Sequence, residues 1–109
     1  MSEAISEVKQ LVGLLEYQEG SIVSRSLLKA KGGSATLFAF AVGEGLSEHT
    51  APFDALVVGL EGSADIQIAG EHFSVGGGEI LTLPANRPHS VRAVTQFKML
   101  LIMIRAEAG

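Results

Sequence analysis

A chain of 109 residues, 47% hydrophobic and 18% charged, can bury enough apolar surface to offset its ordering entropy, which excludes intrinsic disorder and fits one globular domain over 1–109. Twelve acidic residues against eight basic ones give a net charge of −4, and the basic residues are scattered, so no electrostatic footprint for nucleic acid is expected. The absence of cysteine excludes disulfides, thiolate nucleophiles and sulfur-ligated zinc.

The acidic start MSEAISEVKQ lacks a basic region followed by an apolar stretch, so it does not read as a signal peptide, and the cytoplasm is the default expectation. Between Ala4 and Leu15 the residues Ile5, Val8, Leu11, Val12 and Leu15 recur at helical spacing. This predicts a short N-terminal helix within an extension over 1–20, with Gly13 as a weak point.

From Ser21 the pattern changes to short β-branched and aromatic stretches: SIVSRSLL, ATLFAFAV, DALVVGL, ADIQIA, EHFSV, EILTLP, HSVRAV and FKMLLIMI. About eight strands are expected, punctuated by glycines near 32, 43, 62, 70 and 76–78, as in the antiparallel hairpins of a sandwich or barrel. The glycine triplet 76–78 leads into a strand and opens no helix, so it does not read as a phosphate loop. LVVGL and MLLIMI are apolar at nearly every position, which predicts burial on both faces. One face would line a barrel, and the other would pack on a second sheet or a second copy, so a homodimer is expected. The longest apolar run, residues 99–104, is far too short to span a membrane as a helix.

Two stretches carry the chemistry. GEGLSEHTAPFDALVVGLEG, residues 43–62, sets His49 between Gly43 and Gly62, and GEILTLPANRPH, residues 78–89, runs from Gly78 through Pro84 to His89. Together with the strand run, they resemble the two motifs of a single-domain cupin over Ser21 to Arg105. The resemblance implies an all-β fold, a double-stranded β-helix or jelly-roll barrel over 21–105, in a family hosting dioxygenases, isomerases, epimerases, cyclases, storage proteins and ligand sensors. It also marks departures. In the first motif Ala51 stands where the family has a second histidine and Ala55 where it has a glutamate; in the second, Asn86 stands for a glycine and Ala93 for an asparagine.

Strand alternation turns Ala51 the same way as His49 and continues that inner face through Ala55, Val57 and Gly59, while the resemblance sets His89 across the barrel. Two imidazoles facing one cavity could ligate a divalent ion such as Fe, Mn, Zn or Ni, but a catalytic zinc site usually has three protein ligands and the oxygenase triad adds a carboxylate. The parity of Asp54 turns it out of the cavity, toward a capping role in a turn. His72 reads as a surface residue, and Phe38, Phe40, Met99 and Met103 read as core. Arg25, Lys29 and Lys31 read as a solvated edge.

Relative to the family pattern, Ala51 and Ala55 widen the cavity and make it less polar, which suits a small organic ligand. Three readings follow. The first is a small-molecule-binding barrel with a degenerate or absent metal site, using His49, Ala51, Ala55, Val57 and His89. The second is a metal-dependent enzyme of dioxygenase or isomerase type ligating through His49 and His89, and the third is a structural or interaction module.

Overall fold

The computed structural model of the protein describes residues 6–106. Among these, nine strands follow an N-terminal segment: β1 Ile22–Ala30, β2 Gly33–Phe40, β3 Gly45–His49, β4 Phe53–Glu61, β5 Ser63–Ile68, β6 Glu71–Gly76, β7 Ile80–Leu83, β8 His89–Ala93 and β9 Phe97–Arg105. Eight occupy the stretches read from the sequence. The ninth, β3, has the sequence GLSEH, whose single large apolar residue gives no strand signal of its own.

The strands form two antiparallel sheets, ordered β1-β2-β9-β4-β7 and β3-β8-β5-β6, facing each other as a jelly-roll barrel. Alternation buries one side of each strand: Ala55, Val57 and Gly59 of β4 lie inside, as do Ala64, Ile66 and Ile68 of β5. Phe40, Phe97, Met99, Val57 and Ile66 are fully buried between the sheets. Full burial of such a side chain is worth about 1.5–3 kcal/mol. The rings of Phe38, Phe40 and Phe97 stack in sequence at 5.7 and 6.1 Å, so the first two belong to the core as expected.

The N-terminal expectation needs correction. Residues 4 and 5 lie outside the described residues, and residues 6–10 form no helix; only one 3-10 turn, Leu11–Gly13, is present. The three-and-four spacing is not used as one buried face, since Val8 is fully exposed and Val12 is 40% exposed. Instead Leu11, Leu14, Leu15 and Tyr17 spread over Leu37 and Ala39 on the outer face of the five-stranded sheet. Contact with a sheet surface has replaced helical amphipathicity.

Lys98 ties this segment down. Its ammonium donates to the Val12 carbonyl at 2.5 Å, lies 5.0 Å from the Tyr17 ring centroid and is 3.9 Å from Glu61 Oε2, although the residue is only 7% exposed. The Tyr17 hydroxyl donates to Glu61 Oε2 at 2.5 Å. Burial, then this bond and the Glu61 charge, push the Tyr17 phenol well above its usual range. The N-terminal segment is thus held by a charge-assisted knot over apolar packing. Lys98→Met keeps the stem and deletes the donor, so it should lower the unfolding free energy by about 2 kcal/mol in urea titration, the usual worth of a hydrogen bond to a charged group.

Candidate functional site

His49 and His89 come together because β3 pairs with β8. Leu46 lies opposite Val91, and continuing that register would set Glu48 opposite His89; a bulge between Leu46 and His49 adds one residue and brings His49 opposite His89 instead. The two rings lie 4.5 Å apart, edge to face at 69°. Each Nδ1 is anchored to a backbone carbonyl two residues back, His49 to Ser47 at 2.9 Å and His89 to Arg87 at 3.2 Å. A carbonyl oxygen can only accept, so Nδ1 of each ring carries the proton. In the neutral form Nε2 is then a bare lone pair, able to accept a hydrogen bond or to ligate.

Both rings line a cavity of about 40 Å³ between the sheets. Ala51 and Ala55 line it too, with Leu46, Leu83 and Val91; β9 contributes Met99, Leu101 and Met103, and Phe53 closes one side. Four of the five residues read as a pocket from the sequence thus meet in one cavity. Val57 does not, being fully buried in the core one alternation deeper along β4. Reading by alternation missed Phe53, whose parity with Ala51 and Ala55 carried the signal; it also missed Leu83, which lies opposite Ala55, and Leu46, which shares the cavity with His49 against its parity because of the bulge. The volume holds a water molecule or a few, far below the roughly 300–1,000 Å³ of a drug-sized ligand's pocket.

The motif turns hold this arrangement in place. Asn86 has φ 63°, the left-handed conformation for which the family uses glycine and which asparagine tolerates better than most residues, and its N–H donates to the Ala51 carbonyl at 2.8 Å. Asp54 points away from the cavity and accepts from the Ala85 N–H at 3.0 Å, tying β4 to the loop before His89. His72 is exposed and pairs with Asp65 at 2.9 Å on the outside of the smaller sheet.

A metal centre does not fit the residues present. Among the described residues no group of three or more His, Cys, Asp or Glu side chains is placed to hold an ion. Ala51 and Ala55 stand where ligands would be, and Asp54 is committed to Ala85. Two imidazoles alone fall short of the three protein ligands usual in a catalytic zinc site, and they lack the carboxylate of the oxygenase triad.

The comparisons with known proteins agree with this fold. The family described as cupin domain matches residues 36–105. The chain belongs to the cupin family. Among solved structures it is similar to a conserved protein of unknown function from Streptococcus pyogenes, at 32% identity over 99% of this chain and 98% of that one, with a TM-score of 0.91. A cupin superfamily protein from Desulfitobacterium hafniense matches at 28% identity over 94% of both chains, TM-score 0.87. A cupin 2 conserved barrel domain protein from Leptotrichia buccalis is 44% identical over 87% of this chain and 46% of that one, TM-score 0.85. No curated protein matches the chain. Among the described residues this cupin has no helix long and apolar enough to cross a membrane.

Burial, and secondly the nearby His49 ring, hold the His89 imidazole below its usual range, with the Arg87 carbonyl partly opposing them. The folded chain therefore binds the proton less readily than the unfolded chain, whose histidine titrates near about 6.5. The stability due to neutral His89 is fully present above that pH and is lost as pH falls through the lowered folded value. Thermal melting between pH 8 and pH 5 should show a larger acid loss of Tm in the native chain than in His89→Gln.

Proposed function

We propose that this cupin binds a small molecule at the mouth of its barrel, that it does so without a resident metal ion, and that His49 and His89 supply the polar contacts. The observation that carries this reading is the anchored imidazole pair above walls that are otherwise apolar. With Nδ1 committed to the backbone, each Nε2 can accept a hydrogen bond from a ligand O–H or N–H. Alanine at 51 and 55 replaces charged or ligating groups with apolar surface, which favours an organic group over an ion. The 40 Å³ of room accepts only the leading atoms of a ligand, so the rest sits at the mouth.

Elemental analysis of the purified protein should find well under one Fe, Mn, Zn or Ni per chain, and none of these ions should raise its Tm. A tightly held stoichiometric ion that is lost in His89→Ala would overturn this reading in favour of a metal-dependent dioxygenase or isomerase.

A second copy of the chain is the partner we propose. On the outer face of the five-stranded sheet, Leu56 lies opposite Ile102, and Val58 opposite both Leu100 and Ile80. The N-terminal segment covers the Leu37 and Ala39 end of this face, while Ile80 and Ile104 remain 65% and 62% exposed. A continuous apolar sheet face of this kind is suited to isologous packing on its own copy. Sedimentation equilibrium should give a dimer, converted to monomer by the paired change Ile102→Glu and Val58→Lys in chains that keep their far-UV circular dichroism.

A further inference from the structure

Beside the mouth of the cavity lies a second depression of about 250 Å³, lined by Lys29, Lys31 and Arg105 together with Ser34, Phe53 and Met103. Phe53 and Met103 line the histidine cavity as well, so these two side chains border both spaces.

The backbone explains why three cations gather here. Arg105 lies opposite Phe53 across β9 and β4 and shares the inward parity of Met103 and Leu101, but it is the last residue of β9, where the side chain reaches the rim. Its N–H is used by the Gly32 carbonyl at 2.8 Å, which brings the β1–β2 turn and Lys31 alongside. Lys29 arrives through a bulge. Arg25 is opposite Leu37, on the outer side, and unbroken alternation would turn Lys29 outward too; the shift between Ser26 and Leu28 puts Lys29 opposite Ser34 instead, in the row that continues to Met103.

Among the described residues no carboxylate pairs with any of the three cations. Arg105 lies 5.3 Å from the centroid of the Phe53 ring, a contact that leaves the guanidinium N–H groups available. Three like charges converging on a partly apolar depression repel one another unless an anion joins them, and here they do so in a chain of net charge −4.

We propose that the ligand of this cupin is a small organic carboxylate, its carboxylate held at the rim by Arg105, Lys29 and Lys31 and its apolar body directed past Phe53 and Met103 toward His49 and His89. The inference rests on the barrel-mouth reading given above and adds the charge and orientation of the ligand. The planar fork of Arg105 matches a carboxylate in two parallel hydrogen bonds, and the lysines add charge without demanding one geometry. A phosphate ester is the poorer fit. Ser34 offers the one hydroxyl of the lining, the Arg105 backbone N–H is already bonded to Gly32, and the remaining walls are Ala30, Phe53, Met103 and lysine stems, which suit an apolar body attached to an anion less strongly hydrated than a phosphate dianion.

The test titrates the full chain with benzoate, with its neutral counterpart benzamide and with inorganic phosphate at matched ionic strength, following the Met103 methyl and the Phe53 and His89 ring signals by NMR. The same titrations are made with the double variant Arg105→Gln and Lys29→Gln, both exposed positions, after its Tm has been shown to match the native chain. Benzoate should shift all three reporters and bind at least about tenfold more tightly than benzamide, the worth of one charge-assisted contact, and the double variant should lower benzoate to the affinity of benzamide while leaving benzamide unchanged. Equal affinities of benzoate and benzamide in the native chain overturn the anion subsite and leave the barrel-mouth reading standing. Phosphate shifting the rim as strongly as benzoate, with the Met103 and His89 signals unmoved, overturns the carboxylate assignment. If none of the three probes moves Met103, Phe53 or His89, both the subsite and the barrel-mouth reading fail together.

Discussion

Strand β9 is the constraint on which the rest of the molecule depends. It pairs with β2 along one edge and with β4 along the other over nearly its whole length, so a single nine-residue strand sets the register of both neighbours. Because its alternate residues are apolar on both faces, a slip of one residue would exchange Met99, Leu101 and Met103 for Leu100, Ile102 and Ile104 with little change in hydrophobicity. Hydrophobic pattern alone is therefore a weak guide to the register of β9. The Lys98 ammonium under the N-terminal segment and the rim position of Arg105 are the polar marks that distinguish its two faces.

Once β9 is placed, the site follows in rows. Ser34, Met103 and Ala55 lie side by side across three strands, and Phe53 and Arg105 form the next inward-facing pair toward the open end. The cavity wall and the basic rim are consecutive parts of the same ladder. The opposite wall comes from the smaller sheet, where β3 and β8 carry the imidazoles, and the corner Ala51–Pro52 joins the two through the bonds from Asn86 and Ala106. Two sheets meeting at an open end give this cupin a mouth with imidazoles on one side and cations on the other.

Two β-bulges decide which side chains reach that mouth. In β3 the extra residue exchanges Glu48 for His49 opposite His89, and in β1 it turns Lys29 from the outer side to the side of Ser34 and Met103. Without the first, a carboxylate would face His89. A bulge costs one ladder position and reverses parity beyond it, so near a strand end it re-aims the last few side chains while the sheet stays continuous. Neither shift has a marker in the local sequence, because Ser26, Leu27 and Leu28 alternate no worse than their neighbours and GLSEH is polar for most of its length.

The sequence by itself determined the barrel class, eight of the nine strands among the described residues, and the two histidine-bearing motifs with alanine at 51 and 55. These features are local: β-branched runs, glycine turns and fixed motif spacings survive in one dimension. It also placed Asp54 outside the cavity and Phe38 and Phe40 in the core, since parity holds wherever a strand is unbroken. The tertiary structure alone decided that residues 6–10 form no helix, that Val57 lies behind the cavity rather than in it, and that Lys29, Lys31 and Arg105 meet beside Phe53. Each of those outcomes depends on a partner distant in the chain or on a register shift, and the free energy of such contacts is not written in the local pattern that an isolated stretch of sequence carries.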